Sequence, residues 1–474
     1  MDPDLDPGGV ARGSRVRAPR ARVRDLFLRI LGGIFVVAFA SLAVQAHVLW
    51  GARGLLPACP MVSKAGLTVF RLWCSDAALV WTAWLGVLVA LGLVLLVAPR
   101  WCLLVCWALY LSYANVGQDF LWFQWDNLLL ESAFFALFVT PGRLDGRRAP
   151  APHWIGVLLM QWLLVRLMVE SGAAKLLTGD PTWRDLTAMA TYYETAPLPT
   201  WVGWWMHQLP MGFHKATSAL TFVIELGLPL CILGPRRLRQ LAFAGMLGFQ
   251  LFVVLTANYG FFNYLSAALC LWMLDDRDLG VREHVERPAS RPVTIALAAA
   301  AVLLVPLSLV PFLRFLYVPR LVEIARPIDQ LLNQFRSISA YHLFASMTLI
   351  RREPIFEGSD DGVVWRPYEL RYKPGDVGRP PPFVAPHQPR VDFQLWFLLF
   401  RVRRPAYAEA LLRRMLFEPE VVAPLFAENP FPDTPPRLVR VSVYRYRFSD
   451  RATRAATGAW WTRELLDHTR ALQR

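Results

Sequence analysis

The stretch NVGQDFLWFQWDNLLLE, residues 115–131, decides the fold of this chain. Most of it is apolar and aromatic, as in a membrane helix, yet Asp126 and Glu131 lie within it. A charged side chain at the bilayer centre costs about 3 kcal/mol or more, so neither carboxylate should face lipid. We expect both to face the interior of a helical bundle or a wet cavity. The alternative is a segment on the membrane surface, but the long apolar runs on either side favour a span.

The composition is typical of a polytopic membrane protein. The chain has 474 residues, 55% hydrophobic content, a mean hydropathy of +0.35 and 19 tryptophans. Its net charge is +14, but the basic residues gather at the ends of apolar runs. That pattern indicates membrane topology rather than nucleic-acid binding. Lysine is nearly absent and arginine replaces it, which points to a GC-rich genome and hence to a bacterium.

Apolar periodicity predicts a polytopic α-helical membrane protein with about eight or nine spans. Residues 1–25 are Arg-rich and are expected to form a disordered cytoplasmic tail, followed by a transmembrane bundle over residues 26–317. The predicted spans cover residues 26–50, 77–98, 101–116, the opening stretch to about Thr140, 154–177, 216–233, two spans within 241–274, and 293–316. With the N-terminus inside, every inside loop carries arginine, and nine spans place residues 318–474 outside.

Residues 318–474 are predicted to form a soluble extracytoplasmic α+β domain, rich in β structure, that lies against the membrane. Two β-rich runs flank Asp360-Asp361-Gly362, which predicts a hairpin. The run VDFQLWFLLF at 391–400 fits either a strand or a short buried helix, and residues 406–425 have helical spacing. RLVRVSVYRYRF alternates as a strand does.

A second group of charges accompanies Asp126 and Glu131. The candidate buried polar core is Asp126, Glu131, Arg166, Glu170, Lys175 and Glu225. Arg166 and Glu170 are four residues apart and can pair on one helix face. Arg166 is also the spanning cation nearest in depth to Asp126, so we expect these two in one buried network. The core could hold a lipid headgroup or move a proton, but a structural ion-pair network is the favoured interpretation.

A Trp-rich outer segment, residues 178–215, follows the fifth predicted span. Thr182 and Asp185 fit a capping box for a short helix that begins at Trp183. The candidate residues of this segment are Trp183, Arg184, Asp185, Tyr193 and Glu194. An interfacial re-entrant loop and a lid over the polar core are both compatible with its composition.

Two of the six cysteines, Cys59 and Cys74, share the first predicted outside loop. They can form a disulfide on the oxidising side of the membrane or remain free interfacial thiols, and the sequence leaves both alternatives open. The sequence has no zinc-type spacing of Cys and His, nucleophile elbow, Walker motif or dinucleotide fingerprint. We therefore expect no metal site or cofactor and identify no catalytic residue.

Several stretches resemble the lipase maturation factor family. They are QDFLWFQWDNLLLE, DPTWRDLTAMATYYETAPLP, ANYGFFNYL followed by LDD, YHLFASMTLIRREPIFEGSDDGVVWRPYELRYKPGD, RPPPFVAPHQPRVDFQLWF and NPFPDTPP. The match is collinear over residues 115–445. The spans are also distantly similar to the transmembrane bundle of vitamin K-dependent carboxylases, although Lys175 does not match the catalytic lysine of those enzymes by motif.

The resemblance implies a membrane protein that helps secreted lipases to fold and assemble, located in the endoplasmic reticulum of animals. It implies no catalytic residues. The candidate client-contact residues lie in the matching motifs of the C-terminal domain and are Asp361, Trp365, His387, Gln388 and Trp396. The leading hypothesis is a non-enzymatic, membrane-anchored maturation factor for exported client proteins, with lipases as the candidate class and with a bound lipid allowed. The alternatives are an intramembrane enzyme acting on a lipid or quinone-like substrate and, with less support, a transporter.

Overall fold

A computed structural model describes residues 19–147, 149–281, 290–316, 323, 326–327, 332–400 and 405–474. The expectation of disorder for residues 1–18 lies outside the described residues. The remainder divides into a helical N-terminal region and a C-terminal region that contains a β-sheet.

The helical region is built mainly from long apolar helices. Its helices are α1 (Ala21–Ala43), α2 (Ala46–Trp50), α3 (Asp76–Val94), α4 (Pro99–Val116), α5 (Gln124–Ala136), α6 (Trp154–Leu177), α7 (Pro181–Arg184), α8 (Ala188–Thr195), α9 (Trp201–His207), α10 (Met211–Phe222), α11 (Arg236–Thr256), α12 (Phe262–Cys270), α13 (Arg291–Leu307) and α14 (Val310–Phe315). Within the described ranges, six helices are long and apolar enough to cross a membrane. They are α1, α3, α6, α11, the continuous stretch Met211–Leu233 that begins with α10, and Arg291–Phe315.

The first helix begins earlier than the sequence predicts. Residues up to 25 were expected in the tail, but α1 starts at Ala21 and ends at Ala43, before a separate helix that reaches Trp50. The reason is a long-range cap that no local motif reveals. The backbone N–H groups of Ala21, Arg22 and Val23 donate to the carboxylate of Asp276 at 2.8, 2.9 and 3.2 Å. This carboxylate satisfies amides that a helix N-terminus leaves free.

The arginine-rich loops meet at one end of the bundle, which we call the Arg-bearing end. There Arg24 donates to the carbonyl oxygen of Pro150 at 2.5 Å. From the first turn of α11, Arg239 pairs with Asp275 at 2.9 Å. The N-terminus of α1, the loop before α6, the start of α11 and the loop after α12 therefore lie together.

The C-terminal region contains a six-stranded antiparallel sheet. Its strands are β1 (Arg351–Ser359), β2 (Arg366–Leu370), β3 (Phe426–Glu428), β4 (Leu438–Phe448), β5 (Trp461–His468) and β6 (Leu472–Gln473). The order is β3-β2-β1-β4-β5, and β6 also pairs with β4. Register is set by pairs such as Ile355 with Ser442. Four short helices pack around the sheet or connect its strands: α15 (Arg390–Trp396), α16 (Ala406–Phe417), α17 (Pro419–Val422) and α18 (Arg451–Thr457).

The predicted hairpin is confirmed. Strands β1 and β2 pair across the Asp-Gly turn, with Phe356 opposite Tyr368. Gly362 has φ +74°, which a side chain would oppose, and the Asp361 carboxylate accepts from the N–H groups of Val363 and Val364 at 2.8 Å each. Between the two alternatives for residues 391–400, the structure has the buried helix, α15.

Candidate functional site

A buried ion pair joins the two regions of the chain. Arg390, the first residue of α15, donates from both terminal nitrogens to the Asp126 carboxylate, at 2.7 and 2.8 Å. Both side chains are fully buried. Tyr110 donates its hydroxyl to the same carboxylate at 2.5 Å, and the carbonyl oxygen of Phe120 accepts from Arg390 at 2.7 Å. Both terminal nitrogens of Arg390 and both carboxylate oxygens of Asp126 therefore have partners inside the protein, as burial requires, whereas Arg390 Nε has none among the described residues.

The predicted pairing of Asp126 with Arg166 is wrong. Asp126 lies in the first turn of α5, where Arg390 reaches it from the C-terminal region. Arg166 instead contacts Glu131 at 2.6 Å and Glu170 at 3.0 Å. Depth along the spans was a poor guide because the partner of Asp126 is not in a span.

The Arg166 cluster also joins the two regions. The Tyr341 hydroxyl donates to Glu131 at 2.5 Å, and the Tyr341 backbone N–H donates to Glu170 at 3.0 Å. The third nitrogen of Arg166, Nη2, donates to the carbonyl oxygen of Ser339. The loop that carries Ser339 and Tyr341 thus packs on the bundle and forms hydrogen bonds with all three buried charges, Arg166, Glu131 and Glu170.

A third cluster lies near the C-terminal end of α6. Lys175 donates to both carboxylate oxygens of Glu225 at 2.9 and 2.8 Å. It also donates to the carbonyl oxygen of Leu343 at 2.9 Å and lies 5.3 Å from the centre of the Trp183 ring. The ammonium is therefore held within the protein, and again one of its partners comes from the loop that precedes the sheet.

All six predicted members of the polar core are buried, but they form three clusters rather than one network. The clusters are Asp126 with Arg390, Arg166 with Glu131 and Glu170, and Lys175 with Glu225. The bundle supplies all four carboxylates of these clusters and two of their three cations. Arg390 adds a third cation, and hydrogen-bond donors from Tyr341 and Ser339 solvate the carboxylates that share Arg166.

The polar break between α11 and α12 also contributes to the contact between the bundle and the C-terminal region. Asn258 donates its amide to the carbonyl oxygens of Leu198 and Pro382 at 3.1 and 2.9 Å. Its own oxygen accepts from the N–H groups of Val384 and Ala385 at 2.8 and 2.9 Å. Gly260 follows at φ +55°, and a Cβ there would come within 2.3 Å of Gln388 Oε1. The break thus seats residues 382–388 against the bundle.

The outer segment lies between the bundle and the sheet. Its first helix begins at Pro181 rather than at Trp183, because Asp180 and not Thr182 is the N-cap. Trp183 is buried, with its indole N–H donating to the carbonyl oxygen of Phe344 at 2.9 Å. Arg184 and Asp185 are exposed, which excludes them from the buried contact in this structure.

Two further predicted residues of this segment contact the sheet or pack inside. Tyr193 is buried against His214. Glu194 accepts from the Phe448 N–H at 2.8 Å, and burial raises the pKa of its carboxyl. Arg351, on β1, donates to the carbonyl oxygens of Glu194 and Pro197 at 2.8 and 3.0 Å and pairs with Glu353. Arg351 therefore fixes the outer segment to the sheet.

The candidate client-contact residues separate into two groups. Asp361 is exposed at the hairpin tip, Trp365 lies half-buried under the Arg440 guanidinium, and Trp396 packs on Phe397 and Phe400. His387 and Gln388 lie at the contact between the two regions. His387 is half-buried with its ring 3.0 Å from Ser41 Oγ, near the C-terminal end of α1, and Gln388 is 1% exposed, which leaves its side chain unavailable to a client in this structure. The His387 ring and the Gln388 backbone N–H make this contact.

Cys59 and Cys74 are joined by a disulfide, the first of the two alternatives that the sequence left open. Cys59 lies in the loop between α2 and α3, and Cys74 lies just before α3. In the same loop Arg53 contacts Glu420 of the C-terminal region at 3.0 Å. Among the described residues, no group of three or more Cys, His, Asp and Glu side chains is placed to hold a metal ion.

Two family models match the chain. "Lipase maturation factor transmembrane domain" matches residues 22–281, and "Lipase maturation factor C-terminal domain" matches residues 337–471. The chain belongs to the lipase maturation factor family. Lipase maturation factor 2 of Mus musculus is 31% identical over 94% of this chain and 82% of its own length. Lipase maturation factor 2 of Homo sapiens is 31% identical over 94% and 81%.

Lipase maturation factor 1 of Mus musculus is 30% identical, with 93% of this chain and 85% of that protein aligned. No solved structure matches the chain. The family resemblance stated from the sequence motifs is thus confirmed, and the two matched regions correspond to the bundle and to the sheet-containing region described above.

Sequence reasoning missed Arg390 and Tyr341 as partners of the buried core charges, and it missed Arg351 and Asn258 as residues that hold the regions together. All four lie in motifs that resemble lipase maturation factors, but no local spacing assigns their partners. One signal was present: the predicted core held four carboxylates and only two cations. Since buried charges need partners, that excess required a cation from outside the spans.

Proposed function

We propose that this chain is a membrane-anchored maturation factor for lipases, in which the helical bundle holds the C-terminal region at the membrane as a fixed client-binding platform. The observation that carries the proposal is the interdomain joint, which consists of the Asp126–Arg390 pair, the Arg166 cluster and the Lys175–Glu225 pair. Each cluster has a partner from the C-terminal region. Family membership supports lipases as the client class.

The orientation is part of the proposal. Nine crossings arise if the shorter helices α4, α5 and Phe262–Met273 cross with the six long ones. The Arg-bearing end then faces the cytoplasm. Ser41 and Gln45, at the other end of α1, contact His387 and Arg390, so the C-terminal region faces the extracytoplasmic side. In a bacterium this membrane is the cytoplasmic membrane, and the disulfide lies on its oxidising side.

The intramembrane enzyme is the less supported alternative. A catalytic carboxylate or lysine needs an accessible group with an open hydrogen-bonding position. Lys175 is instead occupied by Glu225 and Leu343, and Asp126 accepts from Arg390 and Tyr110. This arrangement favours a structural joint.

The client is proposed to bind at the hairpin tip. Val363 and Val364 are 80% and 57% exposed beside Asp361, on a turn held by its own hydrogen bonds. Exposed apolar side chains on a rigid turn suit a client that still exposes apolar surface during folding. Trp365, under Arg440, borders this tip.

Site-specific photo-crosslinking tests the proposal. A photoreactive amino acid replaces Val363 in the full chain, which is co-expressed with an exported lipase. The matched control carries it at Leu233, which is 89% exposed and precedes the arginine-rich start of α11. We expect a lipase adduct from Val363 and none from Leu233, with a higher ratio of lipase activity to lipase antigen when the chain is present. Equal adducts from both positions, or an unchanged ratio, would contradict the proposal.

A further inference from the structure

A large cavity lies inside the bundle, beside but distinct from the Asp126 and Arg166 clusters. Its volume is about 620 Å³, within the range of small-molecule pockets. Its walls come from α6, the outer segment, α10, α11, α12 and the loop at Leu343 and Phe344. The interdomain joint therefore closes one side of the cavity.

The walls of the cavity are predominantly apolar. Leu167, Phe249 and Phe262 are typical of its lining. Lys175 and Glu225 also line it, but they pair with each other, so a guest meets a neutralised pair instead of a free charge. Such a lining favours a hydrocarbon guest over an ionic one.

Three polar groups of the lining residues have no hydrogen-bond partner among the described residues: the Trp125 indole N–H and the hydroxyl groups of Tyr192 and Tyr259. All three atoms are buried behind the cavity surface, so the walls offer a guest mainly apolar contacts.

The cavity borders the outer face of two candidate spans. Leu220 and Val223 of Met211–Leu233, and Leu241 of α11, line it and are themselves 52%, 56% and 69% exposed. In a bilayer this face contacts lipid tails. A chain that leaves the bilayer can therefore enter between these helices without crossing water.

We propose that this cavity binds an acyl chain of a membrane lipid. The assignment rests on the membrane placement of the spans and is independent of the lipase client. An esterified chain of a glycerophospholipid and a free fatty acid share this chemistry.

The site can be tested by photolabelling and by filling the cavity. Gly248 on α11 lines the cavity, and a Cβ there meets nothing within 4 Å, so Gly248→Leu adds bulk to open space. Gly33→Leu on α1 is the matched control, since Gly33 is also helical, also has open space at its Cβ, and does not line the cavity. The full chain is reconstituted in phosphatidylethanolamine and phosphatidylglycerol vesicles containing a diazirine probe. One arm uses a phosphatidylethanolamine with the diazirine on one acyl chain, and the other a diazirine palmitic acid.

We expect labelled peptides to map to cavity residues of α6, α11 and α12. Labelling there should fall about tenfold in Gly248→Leu and remain at the parent level in Gly33→Leu, because only the first leucine occupies the guest's volume. The arm that labels the cavity identifies the source of the chain. Labels confined to outward-facing residues of the parent, or equal cavity labelling in parent and Gly248→Leu, would overturn the proposal. Peptide mapping of the parent decides the matter even if Gly248→Leu does not fold.

Discussion

Arg390 and Asp126 form a bidentate pair between residues that are 264 positions apart in the chain. One lies at the start of a helix beside the β-sheet and the other in the first turn of α5. Neither charge would be tolerated in its position without the other. The bundle and the C-terminal region therefore depend on each other for folding, and we expect them to behave as one cooperative unit.

Arg351 should be needed to hold the outer segment on the sheet. It is fully buried, and besides Glu353 it contacts the carbonyl oxygens of Glu194, Ala196 and Pro197. Arg351→Met should lower the free energy of unfolding by about 3–5 kcal/mol, because Glu353 loses a buried partner. Arg352→Met is the control: its side chain is exposed on the same strand, and the change should stay within about 0.5 kcal/mol. Denaturant titration of the purified protein measures both, and equal effects would contradict this role.

The disulfide should be detectable in protein that has never been reduced. Cys59 and Cys74 should resist a thiol reagent until reductant is added, whereas Cys102 and Cys231, which are free and partly exposed, serve as positive controls. Replacing both bridged cysteines by serine should lower stability by about 3 kcal/mol, since the bridge closes a loop of some fifteen residues. Mass spectrometry after labelling gives the answer, and full labelling of both thiols without reductant would exclude the bridge.

Acid should weaken the contact made by His387. Burial, with the nearby Arg390 charge, lowers the pKa of this imidazole from 6.5 to about 4. Between these values the unfolded chain binds a proton that the folded chain does not. The stabilisation is thus complete above about pH 6.5 and is lost as pH falls toward 4.

His387→Gln removes this titration. The parent should lose about 1 kcal/mol more than His387→Gln between pH 7.5 and pH 5, after allowance for the partial exposure of the ring. Unfolding free energies of both proteins at the two pH values measure the difference. Parallel pH dependence in parent and variant would show that His387 does not titrate as described.

Topology can be tested independently of stability. Alkaline phosphatase fused after Arg474 should be active in a bacterial host, because nine crossings from an inside N-terminus place the C-terminus outside. A fluorescent protein that matures only in the cytoplasm should be dark at the same position. The opposite pair of results would exclude the proposed orientation.

The sequence predicted the type of secondary structure of each segment better than it predicted which residues pair with the buried charges. Apolar runs predicted helices in the regions now occupied by α3, α4, α6 and α11, and the Asp-Gly turn predicted the β1–β2 hairpin. These features depend on local periodicity and turn chemistry. The start of α1 was misplaced because its cap, Asp276, is more than 250 residues away.

The same limit explains the candidate site. The sequence predicted that Asp126, Glu131 and Glu170 would be buried, since a carboxylate in a span has few other options. It could not predict that Arg390 and Tyr341 would reach them, because helical spacing carries no information on contacts between distant segments. Gln388 was misplaced for the same reason: it was expected at a client surface, but it is buried between the two regions.

The most direct test of the interdomain joint is a double-mutant cycle on Asp126→Asn and Arg390→Met, with Arg53→Met as control because its pair with Glu420 is exposed. Each single change at the buried pair should lower the free energy of unfolding by about 3–5 kcal/mol, and the control by less than about 1 kcal/mol. The double variant should lose less unfolding free energy than the sum of the two single losses, by about 2 kcal/mol or more, because no charge is then left unpaired. Strictly additive losses, or single variants as stable as the parent, would contradict a fold in which this pair joins the bundle to the C-terminal region.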